Sequence, residues 1–454
     1  MKKSIYSIAL GLLGCASVFA QDTSATKKDE GKFTVNGYID SYYLTAFNNP
    51  KSGQLLGASA GRAFDRVTDQ FGLGLVQTRF AYTNSKSEMV IDLTFGPNAE
   101  LGNFGNVRPM ISGVTAVTDP ATGAVTGYAG TGGGTAAGYY PTIGGKQALY
   151  GTSAAIKQAY FKYNITDKLS FTVGQFGTHI GYEVIDAPVN YHYSLSNLFN
   201  NGPFYHVGGK LNYAFSDKLG VMLGVVNNWD ALTDWKKQKS VIGQFYVSPI
   251  SGWNVYVNFI GGHNDDGYKI VGNQVEPGFA TPNYNRMLFD LTTGYQVTSK
   301  FYIGLNAAYG MYSFDKKQAL ASSKLDPTTG KMDSSSTIGW YGVALYPNYQ
   351  ITDMIGVGVR YEFFNDQNAV RYFGGINNSV TVTVPITLAD GHLIIKPEFR
   401  MDIGERYVYG TGKKVAYYED KDGKIGALDA VTGDVSPGGT TTQTTFGVAF
   451  IYKY

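Results

Sequence analysis

The chain has 454 residues, with 37 basic and 35 acidic side chains, 35 tyrosines, 58 glycines and a single cysteine. A net charge this small gives no electrostatic case for nucleic acid or anionic lipid as a partner, and one cysteine cannot build a disulfide framework. Beyond the N-terminus no apolar run approaches about 18 residues, which excludes helical membrane spans and leaves many short strands rich in Tyr, Phe and Gly.

The first twenty residues, "MKKSIYSIALGLLGCASVFA", place Lys2 and Lys3 before an apolar stretch from Ile5 to Leu13 and close on Val18, Phe19 and Ala20. That is the pattern of a secretory signal peptide cut after Ala20, too short to span a membrane. A lipidation box around Cys15 is the rival reading; Cys15 sits early and apolar residues continue past it. Cleavage would remove the only cysteine and leave 35 basic against 35 acidic residues. Residues 21–32 then read as a periplasmic linker and 33–454 as the folded domain.

From "FTVNGYIDSYYLTAF" onward about sixteen alternating segments follow, most near the ~9–11 residues that a tilted membrane strand needs. Their connectors alternate without exception between short ones (84–87, 166–168, 216–218, 249–252, 298–300, 352–354, 389–392) and long ones (48–69, 96–153, 177–203, 230–239, 261–285, 313–337, 367–376, 405–443). A soluble sandwich has no reason for this regularity. A transmembrane antiparallel β-barrel of about sixteen strands does, with tight periplasmic turns at one rim and extracellular loops at the other. Four of the short turns repeat a formula, in "YNITDKLSF", "YAFSDKLGV", "YQVTSKFYI" and "YQITDMIGV". Asp and Ser/Thr there are expected to bond to their own backbone. In the long loops "DPATG" at 119, "DPTTG" at 326 and "DAVTG" at 429 predict hairpin turns. "EDKDGKIG" has its glycine too early for a calcium loop and reads as turn chemistry.

Strand parity predicts what faces inward. In "LIIKPEFRMDI", Leu393, Ile395, Pro397, Phe399, Met401 and Ile403 form one face and Lys396, Glu398, Arg400 and Asp402 the other. Charges facing lipid at the midplane cost roughly 2–4 kcal/mol each, so the four belong inside. The same parity turns Asp92, His206, Lys210, Asn212, Arg286, Asp290, Arg360 and Glu362 inward, and predicts a polar interior of mixed sign. Six basic residues (Arg79, Lys210, Arg286, Arg360, Lys396, Arg400) against seven acidic ones (Asp40, Glu88, Asp92, Asp290, Glu362, Glu398, Asp402) predict weak ion preference. In "AAIKQAYFKYNI" the parity that turns Phe161, Tyr163 and Ile165 to lipid also turns Lys157 outward, unless a bulge shifts the register. The final run "TTFGVAFIYKY" alternates too and is expected to pair with the first strand and close the wall.

"FTVNGYIDSYYLTAFNNP", "GQFGT…GYE", "NGPFYHVG" and "VVNNWD" resemble the OmpL-like group of β-barrel porins, over most of the mature chain and most closely between 156 and 230. The resemblance implies an outer-membrane channel for passive diffusion of small hydrophilic solutes, with no catalytic residue, cofactor or metal. Its expected surroundings are outer-membrane lipids and the barrel-assembly machinery, with association of three copies left open. The rival functions are a surface adhesin or ligand-binding barrel using the long loops, and an outer-membrane hydrolase. For the hydrolase, His179 and His192 share one loop with Glu183 and Asp186, and read better as polar loop residues near a pore mouth than as nucleophilic or metal chemistry. "GGK" at 144–146 lacks the spacing of a phosphate loop, and the glycine-rich stretch 128–145 reads as flexible loop.

About sixteen strands leave a channel too wide to sieve small solutes unless something folds into it. The third long loop, 177–203, is the candidate: it carries Tyr182, Tyr191, Tyr193, Leu195, Leu198 and Phe199 and few charges. Folded inward, it would set Glu183 and Asp186 opposite basic wall residues such as Arg360 or Arg400, as a transverse field. The competing placement is flat over the rim.

Overall fold

The computed structural model describes residues 31–48, 55, 62, 64–104, 114–118, 125–130, 155–232, 238–264, 268–271, 274–277, 284–314, 337–366, 375–405, 409–414, 417–419, 425–427 and 437–454. Sixteen antiparallel strands form one closed wall: β1 (Lys32–Ala46), β2 (Gln70–Thr83), β3 (Ser87–Phe95), β4 (Ile156–Asn164), β5 (Leu169–Gly177), β6 (Tyr205–Ser216), β7 (Leu219–Asn227) and β8 (Lys239–Val247). The second half follows as β9 (Trp253–Asn264), β10 (Tyr284–Gln296), β11 (Phe301–Phe314), β12 (Thr337–Gln350), β13 (Gly356–Asn365), β14, β15 (Leu393–Gly404) and β16 (Thr442–Lys453). β14 is one strand in two pieces, Ile376–Thr383 and Ile386–Leu388, both paired with β15. The break falls at Pro385, which has no N–H to give the ladder; its carbonyl still accepts the Gly356 N–H at 3.1 Å. Helices α1 (Pro97–Phe104) and α2 (Asn197–Asn201) lie in the long loops.

Every strand pairs with the next, and β1 pairs with β16 from Tyr38↔Lys453 to Ala46↔Thr445. The terminal residue extends the seam, since Tyr454 N–H donates to Gly37 O at 3.0 Å and Gly37 N–H returns a bond to Tyr454 O at 3.3 Å. The closing run thus has its backbone satisfied on both flanks, as lipid requires.

Three of the short turns share one mechanism. The hydroxyls of Thr166, Thr298 and Thr352 each accept the N–H groups two and three residues on, at 3.2 and 3.0 Å in all three cases. The threonine, rather than the following Asp or Ser, is the residue that bonds to the turn's own backbone. In the 389–392 turn Ala389 and Asp390 take φ of 50° and 53° and Gly391 takes 93°, the left-handed conformations that an Asp-Gly pair tolerates. Among the predicted loop hairpins, Val114–Thr118 pairs with Val125–Gly130 around "DPATG". The "DPATG" residues themselves, the other two such turns, most of 128–145 and the N-terminal thirty residues lie outside the described residues.

Lipid-facing and lumen-facing residues alternate as the sequence predicts. On β16 Phe446, Phe450 and Tyr452 are exposed on the outer surface, while Gln443, Thr445, Ala449 and Ile451 are buried. On β4 the ladder to β3 slips between Asp92 and Leu93. That bulge turns Lys157 inward, where its Nζ donates to Gln77 Oε1 at 3.2 Å. The interior departs from expectation in one respect, because it is not polar throughout. Met222, Val226, Ile242, Ile260, Leu288, Trp340, Ala344 and Phe364 point in from neighbouring strands and form one buried apolar cluster with Ile180, Tyr182 and Leu198.

These faces predict that Val448→Arg, an outward charge near the middle of β16, will lower stability in vesicles by about 2–4 kcal/mol. Urea unfolding in lipid would read it as a shifted midpoint.

Candidate functional site: a loop folded into the barrel

The residues between β5 and β6 run into the lumen and cross to the far wall. Their main chain has little regular structure, so each N–H and C=O taken from water needs another partner. The wall supplies them. Lys396 Nζ donates to Ala187 O at 2.6 Å and also to Asn190 O. The Glu398 carboxylate accepts the N–H groups of Tyr193 and Ser194 at 2.7 and 2.9 Å, and the Thr383 hydroxyl at 2.7 Å. Arg400 Nη1 donates to Leu195 O at 2.7 Å, and Glu362 accepts the Asn197 N–H at 2.6 Å. At that point the segment turns into α2, with the Ser196 hydroxyl accepting the Phe199 N–H as an N-cap.

Arg360 is the centre of this dock. Its Nη1 meets Glu183 Oε1 at 2.7 Å and the Ser194 carbonyl, and its Nη2 donates to Thr381 Oγ1 at 3.1 Å. Its Nε lies 2.7 Å from Glu362 Oε1, an ion pair off the hydrogen-bond direction. Glu183 also accepts the Ser196 N–H at 2.7 Å. Asp402 pairs with Arg400 and stands 3.4 Å from Arg62 of the first long loop, whose Nη2 donates to Thr445 Oγ1 at 2.8 Å. Asp186 pairs with Lys157 on β4.

Nearer its start the loop packs on the apolar half of the wall. Tyr182 stacks on Tyr346 with ring centroids 4.2 Å apart, and its hydroxyl donates to Tyr302 Oη at 3.3 Å. Gly181 N–H donates to Asp290 Oδ1 at 3.0 Å, and Asp290 is also held by the side-chain amides of Asn258 and Asn306. Two wall glycines make room: a Cβ at Gly304 would overlap the Tyr182 hydroxyl, and one at Gly358 would overlap the Tyr191 ring. This is a close-approach use of glycine inside a strand.

The charged residues singled out from the sequence therefore fall into two sets. Asp290, Arg360, Glu362, Lys396, Glu398, Arg400 and Asp402, on β10, β13 and β15, face inward and are buried, as are Asp40 on β1 and Asp92 on β3. Arg79, Lys210 and Arg286 face inward but remain partly exposed. Arg79 lies 3.7 Å from Asp92, Lys210 Nζ lies 4.4 Å from the Phe176 ring centroid, and Arg286 stacks 3.4 Å over Trp229. Glu183 and Asp186 come down with the loop and each touches a cation, so neither stands across open water from one. Sequence reasoning missed Arg62, Ser194, Asn197 and the two glycines. Only the Ser196 cap ahead of a short apolar run carries a local signal.

His179 and His192 are far from any shared chemistry. His192 Nδ1 is 2.7 Å from Thr383 Oγ1, and His179 Nε2 is 3.0 Å from Phe259 O. Among the described residues no group of three His, Cys, Asp or Glu could hold a metal ion.

The match to known proteins agrees with this architecture. The family model described as "Putative beta-barrel porin-2, OmpL-like" matches residues 32–454. The chain belongs to this family. It is an outer-membrane β-barrel channel for solutes. Among solved structures, this porin-family chain is similar in fold to OmpT, an outer membrane protein of Vibrio cholerae. The in-vitro folded trimer form gives a TM-score of 0.50 at 12% identity, covering 94% of this chain and 100% of that one. The outer-membrane expressed form also gives 0.50 at 12%, covering 94% and 99%. No curated protein matches the chain by sequence.

Two predictions follow from the dock. Arg360→Met leaves Glu183 and Glu362 buried without their cation, a loss of about 3–5 kcal/mol. It should be read as faster hydrogen exchange over 183–197, and the effect of adding Glu183→Gln should be much less than additive. The second concerns pH. Burial, reinforced by Arg360, Lys396 and Arg400, holds the His192 imidazole well below its ordinary value, and burial lowers His179 to about 4. An undocked loop takes up these protons near ~6.5, so docking is strongest above that pH and weakens as pH falls toward about 4. Hydrogen exchange of the loop measured at pH 7.5 and 4.5 should accelerate on acidification beyond its intrinsic pH dependence, and less so in His192→Gln.

Proposed function

We propose that the chain is a passive, non-enzymatic porin, exported through a cleaved N-terminal signal peptide, in which small hydrophilic solutes diffuse through water left beside the inward-folded loop. The observation that carries this reading is the loop itself: residues 181–197 are bonded to β10, β13 and β15 across the lumen from the strands that begin and end it. A channel narrowed by a fixed segment selects by size, and a segment held by buried charges does not sweep open with thermal motion.

Within this reading Glu183 and Asp186 position the loop instead of setting a transverse field, because each is neutralised in contact by Arg360 or Lys157. The buried wall residues Arg360, Glu362, Lys396, Glu398, Arg400 and Asp402 have the same role. Assembly as a homotrimer is consistent with the trimer described for the Vibrio cholerae protein of the same fold.

Planar bilayers test the proposal. Deleting residues 184–200 should raise single-channel conductance and admit larger sugars while the barrel still folds. Unchanged conductance in a folded deletion protein would move the constriction to another loop. No conductance from the full chain would favour the binding-barrel function.

A further inference from the structure

The wall's charges are unevenly spread around its circumference. β7, β9, β11 and β12 contain no Asp, Glu, Lys or Arg, and β8 contains only Lys239, which shares the outward parity of the exposed Val241 at the extracellular end. β10 carries Arg286 and Asp290, but its periplasmic part, from Thr292 to Gln296, is neutral. What this sector turns inward near the periplasm is carboxamide and phenol.

The loop between β5 and β6 packs on this sector toward its extracellular side, where Ile180 joins Val226, Ile242 and Ile260 and His179 Nε2 lies 3.0 Å from Phe259 O. Nearer the periplasmic turns that follow β6 and β8 the wall is uncovered. Gln244, Tyr246 and Asn254 face inward there and are partly exposed. Gly220 is the cross-strand neighbour of Tyr246, and a Cβ built on it would meet only main chain, Tyr213 O at 3.3 Å and Ala214 Cα at 3.9 Å. Among the described residues no side chain of the loop or of a neighbouring strand comes within 4 Å of that point.

On its other flank Tyr246 pairs with Tyr256 of β9, their ring centroids 4.9 Å apart. The Tyr246 hydroxyl donates to Asn254 Oδ1 at 3.1 Å. One row up, Gln244 Nε2 donates to Asn258 Oδ1 at 2.8 Å, and Asn258 Nδ2 donates to Asp290 Oδ1 at 2.8 Å. The result is an aromatic platform beside a bare floor, edged by carboxamides whose orientation is already fixed. Phenol and carboxamide each offer a donor and an acceptor without charge, and a preordered site loses less entropy on binding. Such a surface suits a solute with an apolar C–H face and a rim of hydroxyls. It offers an ion nothing in exchange for its hydration.

We propose that this patch is a binding site for neutral sugars at the periplasmic mouth of the channel, with Tyr246 as the residue on which the sugar ring stacks. The proposal rests on the channel reading above. It is tested with the full-length protein in planar bilayers, with glucose or sucrose added to both sides. The expected result is a fall in conductance that saturates at millimolar sugar, whereas a polyethylene glycol of the same hydrated size lowers it only in proportion to viscosity. Tyr246→Leu should raise the half-saturating concentration several-fold, and Tyr246→Phe, which keeps the ring, should retain the saturation. A Tyr246→Leu protein that conducts with the original half-saturation overturns the site. A pore that conducts but answers sugar and polymer alike, without saturation, would sink this proposal alone, whereas a barrel that does not conduct would sink the channel reading with it.

Discussion

A stretch of main chain without regular structure can sit inside a barrel only if something answers its N–H and C=O groups, and most of this molecule's interior follows from that requirement. Acceptors are needed where the loop presents N–H groups and donors where it presents carbonyls. The wall meets both with Glu398 and Glu362 on one hand and Lys396, Arg400 and Arg360 on the other. Mixed sign inside the barrel is therefore a matching of polar groups first and an electrostatic field second. The alternation of Lys, Glu, Arg and Asp along one face of β15 reads like a pore lining, yet its members are almost wholly covered.

The fold was legible because membrane strands obey few rules and obey them repeatedly. Period-two alternation, the strict exchange of short and long connectors, and a turn formula used several times locate the strands and their faces. Where legibility stopped, the cause was local geometry that no periodicity records. Parity alone left Lys157 open between the lipid face and a bulged register, and the extra residue opposite the Asp92–Leu93 step decides for the lumen. The turn formula was read through its Asp and Ser/Thr residues together, and in three of the turns it is the threonine that carries the bonds.

The site was legible in part. The loop's aromatic content and length marked it, and Arg360 stood among its expected neighbours. Its partners were not, since Glu183 and Arg360 are 177 residues apart in sequence and only the closure of the barrel brings them together. Nor does a sequence distinguish a glycine that eases a strand from Gly304 and Gly358, which are flat places for Tyr182 and Tyr191. The apolar inward patch has the same character: Trp340, Leu288 and Ile260 alternate as any buried strand residues would, and their meaning appears once Ile180, Tyr182 and Leu198 are laid on them. Stacked aromatics such as Tyr182 on Tyr346 add about 0.5–1.5 kcal/mol beyond their burial.

The loop leaves the wall at β5, returns at β6, and is fastened between these points to β13 and β15 on the opposite side. Mechanically it is a spoke. A sixteen-strand ring is a thin shell one backbone thick, whose softest deformation is to flatten into an ellipse. A strut anchored by buried ion pairs at its far end and by covalent chain at its near end opposes that mode directly. The same segment that narrows the lumen thereby keeps the cross-section round, tying the size of the opening to the stiffness of the wall that surrounds it.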